Sequence, residues 1–107
     1  MKTYFVVFSN PIEGKEAEYN EWYSNIHLQE VVQIDGFISA QRFKLTEEQQ
    51  IDNQSHQYMA IYEIENDDVG GTIKKLEEAS ASMTIEPVID LNGVHVSVFK
   101  SITDVVK

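Results

Sequence analysis

The chain is 107 residues long and 42% hydrophobic, enough for one domain with its own core and no need of disulfide or metal staples. It holds no cysteine, which excludes disulfide frameworks, thiolate zinc sites, iron–sulfur clusters and cysteine nucleophiles together and makes a reducing cytoplasm the expected setting. Eight Lys and Arg against eighteen Asp and Glu give a net charge of -10. Such a charge repels phosphate backbones and anionic lipid, so neither nucleic acid nor a membrane surface is an expected partner, and the acidic surface reads as a solubility device.

Residues 2–9, from Lys2 to Ser9, are almost unbroken in β-branched and aromatic side chains, the pattern of a central strand buried on both faces. The run is too short for a signal peptide, and no stretch approaches the ~20 apolar residues that span a bilayer. Asn10-Pro11-Ile12-Glu13-Gly14 supplies turn and cap chemistry, and a helix is expected from about Lys15. Its apolar stripe is Tyr19, Trp22, Tyr23 and Ile26, and it loses regularity near His27-Leu28. Asp35-Gly36 then turns the chain into a second strand, Phe37 to Leu45. Strict alternation puts Phe37, Ser39, Gln41, Phe43 and Leu45 on one face and Ile38, Ala40, Arg42 and Lys44 on the other.

The polar segment from Thr46 to Ser55 reads as a long hairpin loop. Strand three, about His56 to Glu65, groups Tyr58, Ala60, Tyr62 and Ile64 opposite Met59, Ile61 and Glu63. Asp67 or Asp68 caps a second helix with the stripe Val69, Ile73, Leu76, Ala79 or Ser80, and Met83, weakened at its first turn by Gly70 and Gly71. Pro87 interrupts the connection to a fourth strand, Val94 to Ser101.

The order β, α, β, β, α, β is the α+β ferredoxin-like arrangement, a four-stranded antiparallel sheet with two helices on one face, in a single domain over residues 1–107. One sheet face is then uncovered. Apolar pairs such as Phe5 with Val7, or Phe37 with Phe43, would lack protection, and a homodimer formed by sheet packing is the simplest remedy.

Through Asn10-Pro11-Ile12-Glu13-Gly14, Asn20-Glu21-Trp22-Tyr23, His27-Leu28-Gln29-Glu30-Val31, Gly36-Phe37 and Ala40-Gln41-Arg42-Phe43, the chain resembles the dimeric α+β barrel superfamily and, within it, the small uncharacterised EthD-like proteins. The element order matches over essentially the whole chain, the specific motif over about its first 45 residues. The resemblance implies the fold and the dimer. It leaves the chemistry open, because members include cofactor-free polyketide cyclases, quinone-forming monooxygenases, lactone isomerases, haem-degrading proteins and an accessory of ether degradation. Relatives often carry proline after the His-Leu pair. Gln29 stands there instead, which leaves helix one free to run on.

The catalytic candidates are His27, Tyr23 and Glu30, spaced four and three apart so that one helix projects them from overlapping sectors. Glu30 falls inside the aromatic stripe, where a carboxylate wants a partner in His27 or Arg42. One reading is an imidazole oriented by a carboxylate as a general base; the other is a helix-end histidine satisfied by its neighbour. The ligand-binding candidates are Asn20, Trp22, Arg42, Tyr58 and Tyr62. Trp22 reads first as core. Arg42 either holds an anionic ligand group or, more simply, bridges to Glu30. Tyr58 and Tyr62 either donate hydroxyls to a carbonyl compound or are ordinary sheet residues.

No metal site is assigned, since His56 and His95 lie in different elements without ligand spacing, and a lone histidine at His27 or His95 is a weak warrant for haem. No cofactor is expected, there being no phosphate-cradling loop. Two functions are therefore carried forward: a small-molecule-binding homodimer acting as a cofactor-independent isomerase-, cyclase- or lyase-like enzyme on a small apolar carbonyl or phenolic compound, and a non-catalytic binding or accessory dimer.

Overall fold

The β-branched and aromatic run at the N-terminus forms β1 (Thr3–Ser9), an inner strand of the sheet in a computed structural model that describes every residue except Met1, Asn66, Thr84 and Glu86. The remaining strands are β2 (Phe37–Lys44), β3 (Tyr58–Ile64) and β4 (His95–Lys100). Their spatial order is β2-β3-β1-β4, with every neighbouring pair antiparallel. Helical cover comes from a continuous run, α1 (Glu16–Trp22), a π-helical turn (Tyr23–His27) and α2 (Leu28–Val32), and from α3 (Val69–Ser80). Gln29 thus lies inside a helix that runs on to Val32.

Register sets which side chains meet the helices. Phe5, Val7 and Ser9 of β1 lie opposite Tyr62, Ala60 and Tyr58 of β3, and Ala40 and Arg42 of β2 lie opposite Tyr62 and Ala60. These positions form the helix-covered face, and the core cluster joins Phe5, Val7, Ala60, Tyr62 and Ile64 to Tyr19, Trp22, Tyr23 and Val31, with Ile73 and Leu76 of α3 packed against it. Phe5 and Val7 are therefore buried under helices and are not the unprotected pair expected from the sequence.

The alternation expected for β2 also fails at its start. Phe37 pairs with Ile64 and Ser39 with Glu63, so Ile38 is an extra residue in a bulge. One inserted residue reverses the side on which the preceding side chain falls. Phe37 consequently points into the core, edge-on to Phe5 at 6.1 Å and to Tyr62 at 6.0 Å, while Phe43 stays on the opposite face.

At α3, Asp68 accepts a hydrogen bond from the Gly71 N–H at 2.9 Å, an N-cap that offsets the glycine-weakened turn. Gly71 also makes the cap fit, because a Cβ there would stand 2.2 Å from Asp68 Oδ2. Thr72, outside the expected stripe, is the residue of α3 that is buried.

Asn10 pins the hairpin loop from both sides, donating from Nδ2 to the Ser55 carbonyl at 3.0 Å and accepting the Gln57 N–H at 2.8 Å. After Pro87, Val88 and Ile89 are buried and pair with the turn after β1 through Ile12 N–H to Val88 O at 2.8 Å. The open face carries Tyr4, Val6, Phe8, Met59, Ile61, Phe43 and Phe99 by register, with Phe99 56% exposed. Among the described residues, no helix is long and apolar enough to cross a membrane.

Candidate functional site

The π-helical turn decides which side chains face the sheet. Its backbone closes over five residues, Leu28 N–H to Tyr23 O, so the inward stripe is delayed by one residue relative to an α-helix. After Trp22 and Tyr23 the next inward residue is His27, and Ile26, expected on the stripe, is 45% exposed. The His27 ring stacks on Trp22 at 4.8 Å and 19° and meets Tyr23 edge-on at 5.1 Å.

His27 Nδ1 faces Glu30 Oε1 at 3.5 Å. Both atoms are buried, and neither completes a hydrogen bond. Burial pulls the imidazole below its ordinary pKa, and the Glu30 carboxylate opposes that without reversing it; the neutral ring is the favoured form.

Arg42 approaches the same wall from β2. Its Nη1 donates to Ser24 Oγ at 2.8 Å, and its Cζ lies 4.5 Å from the Tyr23 ring centre and 5.1 Å from those of both Tyr19 and Tyr58. Three aromatic faces within cation–π range hold the guanidinium. Nε and Nη2 are buried without a hydrogen-bond partner. The bridge from Arg42 to Glu30 that the sequence favoured is not formed: the π turn aims Glu30 at His27, and among the described residues no carboxylate pairs with Arg42.

The tyrosines divide into two groups. Tyr58 donates to Glu16 Oε2 and accepts from Asn20 Nδ2 at 3.0 Å, while Asn20 Oδ1 is buried and unpartnered. Tyr62 donates to the Tyr23 hydroxyl at 3.4 Å. Burial pushes the Tyr23 phenol up to about 12 and raises Tyr62 as well, with Tyr23 adding to the effect. Tyr19, absent from the candidates though visible on the aromatic stripe, is fully buried, and its hydroxyl is 2.5 Å from Ser9 Oγ. Burial raises its pKa too, against the bond to Ser9 and both the charge of Arg42 and its hydrogen-bonding pull on the hydroxyl. The wall thus combines a neutral imidazole, a fixed cation and phenols that stay protonated, with the Tyr23 ring touching both His27 and Arg42.

The other face is shaped differently. A concavity of about 590 Å³ lies under the hairpin loop, with apolar walls from Phe43, Leu45 and Met59 and the Phe8 ring between His56 at 5.8 Å and His95 at 6.0 Å. His56 Nε2 is tied to the Gly93 carbonyl at 2.6 Å. A second concavity of about 530 Å³ runs along Tyr4, Gln41, Phe43 and Ile61. His27 lines neither. Of the ligand-binding candidates Tyr58 lines the first; its other walls come from a strand, a loop and a second strand far apart in the chain, which no local pattern brings together. Among the described residues no three His, Asp or Glu side chains gather as metal ligands.

Known structures share this fold at low identity. An EthD family protein from Bacillus halodurans superposes with a TM-score of 0.56 at 12% identity, over 95% of this chain and 100% of the other. A dimeric ferredoxin-like protein of unknown function from Jannaschia sp. CCS1 gives 0.62 at 11% identity, over 94% and 100%. A mutant of MhuD crystallised with two manganese protoporphyrin IX molecules per active site gives 0.67 at 16% identity, over 98% and 99%. These likenesses, together with the sheet order and the two helical runs on one face, give the chain a ferredoxin-like α+β fold. No curated protein sequence matches it. Residues 2–105 fit the family described as Domain of unknown function (DUF4286), and the chain belongs to that family.

Proposed function

We propose that the protein is a homodimer that takes a small, largely apolar carbonyl or phenolic compound at the wall between the Glu16–Val32 helical run and the sheet, with His27 as the base in a cofactor-independent proton transfer. One observation carries this reading: Asn20 Oδ1 and Arg42 Nε and Nη2 are buried without a hydrogen-bond partner, beside a buried His27 Nδ1 that faces Glu30 Oε1 at 3.5 Å, longer than a full hydrogen bond. Folded proteins pair nearly all their buried polar atoms, and exceptions gathered in one place mark a site with work other than packing. A π-helical turn, common at functional sites, runs through it.

The chemistry follows from the protonation states. A neutral His27 takes a proton from an acidic C–H or O–H of the ligand, and Glu30 stabilises the imidazolium that forms. Charge developing on the ligand oxygen is met by Arg42 and by phenols that remain donors. The imidazolium then returns the proton to another position, so an isomerase-, cyclase- or lyase-like reaction needs no cofactor. The Jannaschia protein, dimeric in this fold, and the uncovered apolar face of the sheet support the homodimer.

A second reading, a non-catalytic binding or accessory dimer, is favoured by the fact that neither described concavity reaches His27. Binding of a phenolic and ketone library, with solvent deuterium incorporation into the bound compound, separates the two. The enzyme reading expects incorporation by wild type and by His95→Ala, and none by His27→Ala. Binding without incorporation supports the accessory reading. Equal binding and equal incorporation by His27→Ala would remove His27 from both.

A further inference from the structure

We infer that the ligand of this wall carries a carboxylate, held on one edge of the Arg42 guanidinium. The inference rests on the reading of the wall as a ligand site and names the chemical class that the site selects. A guanidinium offers its N–H groups in two usable edges, one between the two terminal nitrogens and one made by Nε with the terminal nitrogen on its side. In Arg42 the outer nitrogen, Nη1, is occupied by Ser24. The two atoms left without partners are Nε and Nη2. Together they form the side-on fork whose parallel N–H bonds match the two coplanar oxygens of a carboxylate.

Among the described residues the fork forms no structural bridge to a carboxylate, although the chain has eighteen acidic residues. Glu16, the acid that bonds Tyr58 in the same cage, turns to the Tyr58 hydroxyl and to Lys44 at 3.8 Å. Tyr19, Tyr23 and Tyr58 contact the cation through their rings, and the Tyr19 hydroxyl is near enough to feel the guanidinium without taking a full hydrogen bond from Nε or Nη2, which leaves that edge for a ligand anion. Two buried donor nitrogens of a cation with unmade hydrogen bonds are costly, and a bidentate anion removes that cost more completely than a neutral carbonyl, which supplies one acceptor atom. Arg42 is part-buried and its bond to the exposed Ser24 is at the surface, so the ligand would reach the fork from that side. Aromatic walls from the tyrosines suit a flat, apolar body behind the carboxylate. The Tyr23 ring, in contact with both Arg42 and His27, would set that body beside the imidazole.

Three compounds on one ring system test this: 2-naphthoate, 2-naphthamide and 2-naphthol, titrated by calorimetry at fixed ionic strength against wild type, Arg42→Lys and His27→Ala. The expected result is that wild type binds 2-naphthoate about tenfold or more tighter than the amide, the scale of a charge-assisted pair. Arg42→Lys, which keeps the charge and loses the fork, should lose that preference, and His27→Ala should keep it. Equal affinity of wild type for naphthoate and naphthamide overturns the inference, and this arm needs no variant to fold. Carboxylate preference unchanged in a folded Arg42→Lys also overturns it. Binding of 2-naphthol that depends on His27, without any carboxylate preference, would defeat this inference and leave the proposed function standing. Binding of none of the three would defeat both.

Discussion

The two faces of the sheet are made by the same strands and obey opposite rules. On the helix-covered face, Phe5, Ala60, Tyr62 and Ile64 are nearly inaccessible, yet the wall beside them leaves polar atoms of Asn20 and Arg42 without hydrogen bonds and His27 with only a loose contact to Glu30. The open face is largely apolar, with Phe43 and Phe99 more than a third exposed, and its concavities carry no such orphaned atoms. Packing and polar chemistry are concentrated on one side, and uncovered apolar surface on the other. The lesson is that a residue's position along a strand fixes its role less than the parity that sends it to one side or the other.

The strongest break in this contrast comes from the covered side. Tyr62→Ala removes a ring that packs on Phe5 and Phe37 and should cost about 3–5 kcal/mol of unfolding free energy, as large-to-small changes in cores do. Tyr62→Phe, which loses only the bond to Tyr23, should cost about 1 kcal/mol. Urea unfolding of both checks the claim; similar losses for the two would mean that the hydroxyl network and not the packing holds this face. The open side should fail in a different measurement. Ile61 is on that face, opposite Val6 and Gln41, and if the proposed homodimer packs through it, Ile61→Glu should weaken self-association roughly a hundredfold or more by placing a charge in an apolar interface. Sedimentation should then show a monomer with unchanged helical circular dichroism. An unaltered dimer would place the interface elsewhere.

Much of this division was legible in the sequence, and its failures have definite causes. The β1 run, the period-two pattern of β3 and the Asp68 cap are local signals, so they identify their elements without help from the fold. The β2 bulge and the π turn are not local in that sense. Each inserts one residue into a regular repeat, and whether the insertion is kept depends on distant partners: Phe37 gains Phe5 and Tyr62, and His27 gains Trp22. A strict repeat therefore sends Phe37 to the wrong face and counts Ile26 as core. The spacing of Tyr23, His27 and Glu30 was readable because they share one helix. The Tyr19 and Tyr58 contacts to Arg42 join three elements, and only the register brings them together.

A smaller effect separates cover from site. Asp68→Ala removes the cap of α3 and should lower stability by about 1 kcal/mol, while association and ligand binding stay as in wild type, since α3 supplies neither the open face nor the polar wall. Thermal unfolding beside the naphthoate titration tests this; a parallel fall in binding would show that α3 props the wall directly.

The smallest expected effect is a slope. Burial holds the folded pKa of His27 below its ordinary value of 6.5, so in the range just below 6.5 the unfolded chain binds a proton that the folded chain declines. Stability should therefore rise with pH through that range and level off above it. On the alkaline side the sign reverses, because the folded Tyr23 phenol resists ionisation while the unfolded one loses its proton from pH 10 upward. His27→Gln removes the acid-side contribution and leaves the alkaline one, so the stability difference between wild type and variant should shift in favour of wild type as the pH rises through the range just below 6.5. Denaturant midpoints at closely spaced pH values measure it. A difference that shifts the other way would mean that the Glu30 carboxylate outweighs burial. His27 would then be an imidazolium at rest, fit to hold an anion and unfit to begin as a base.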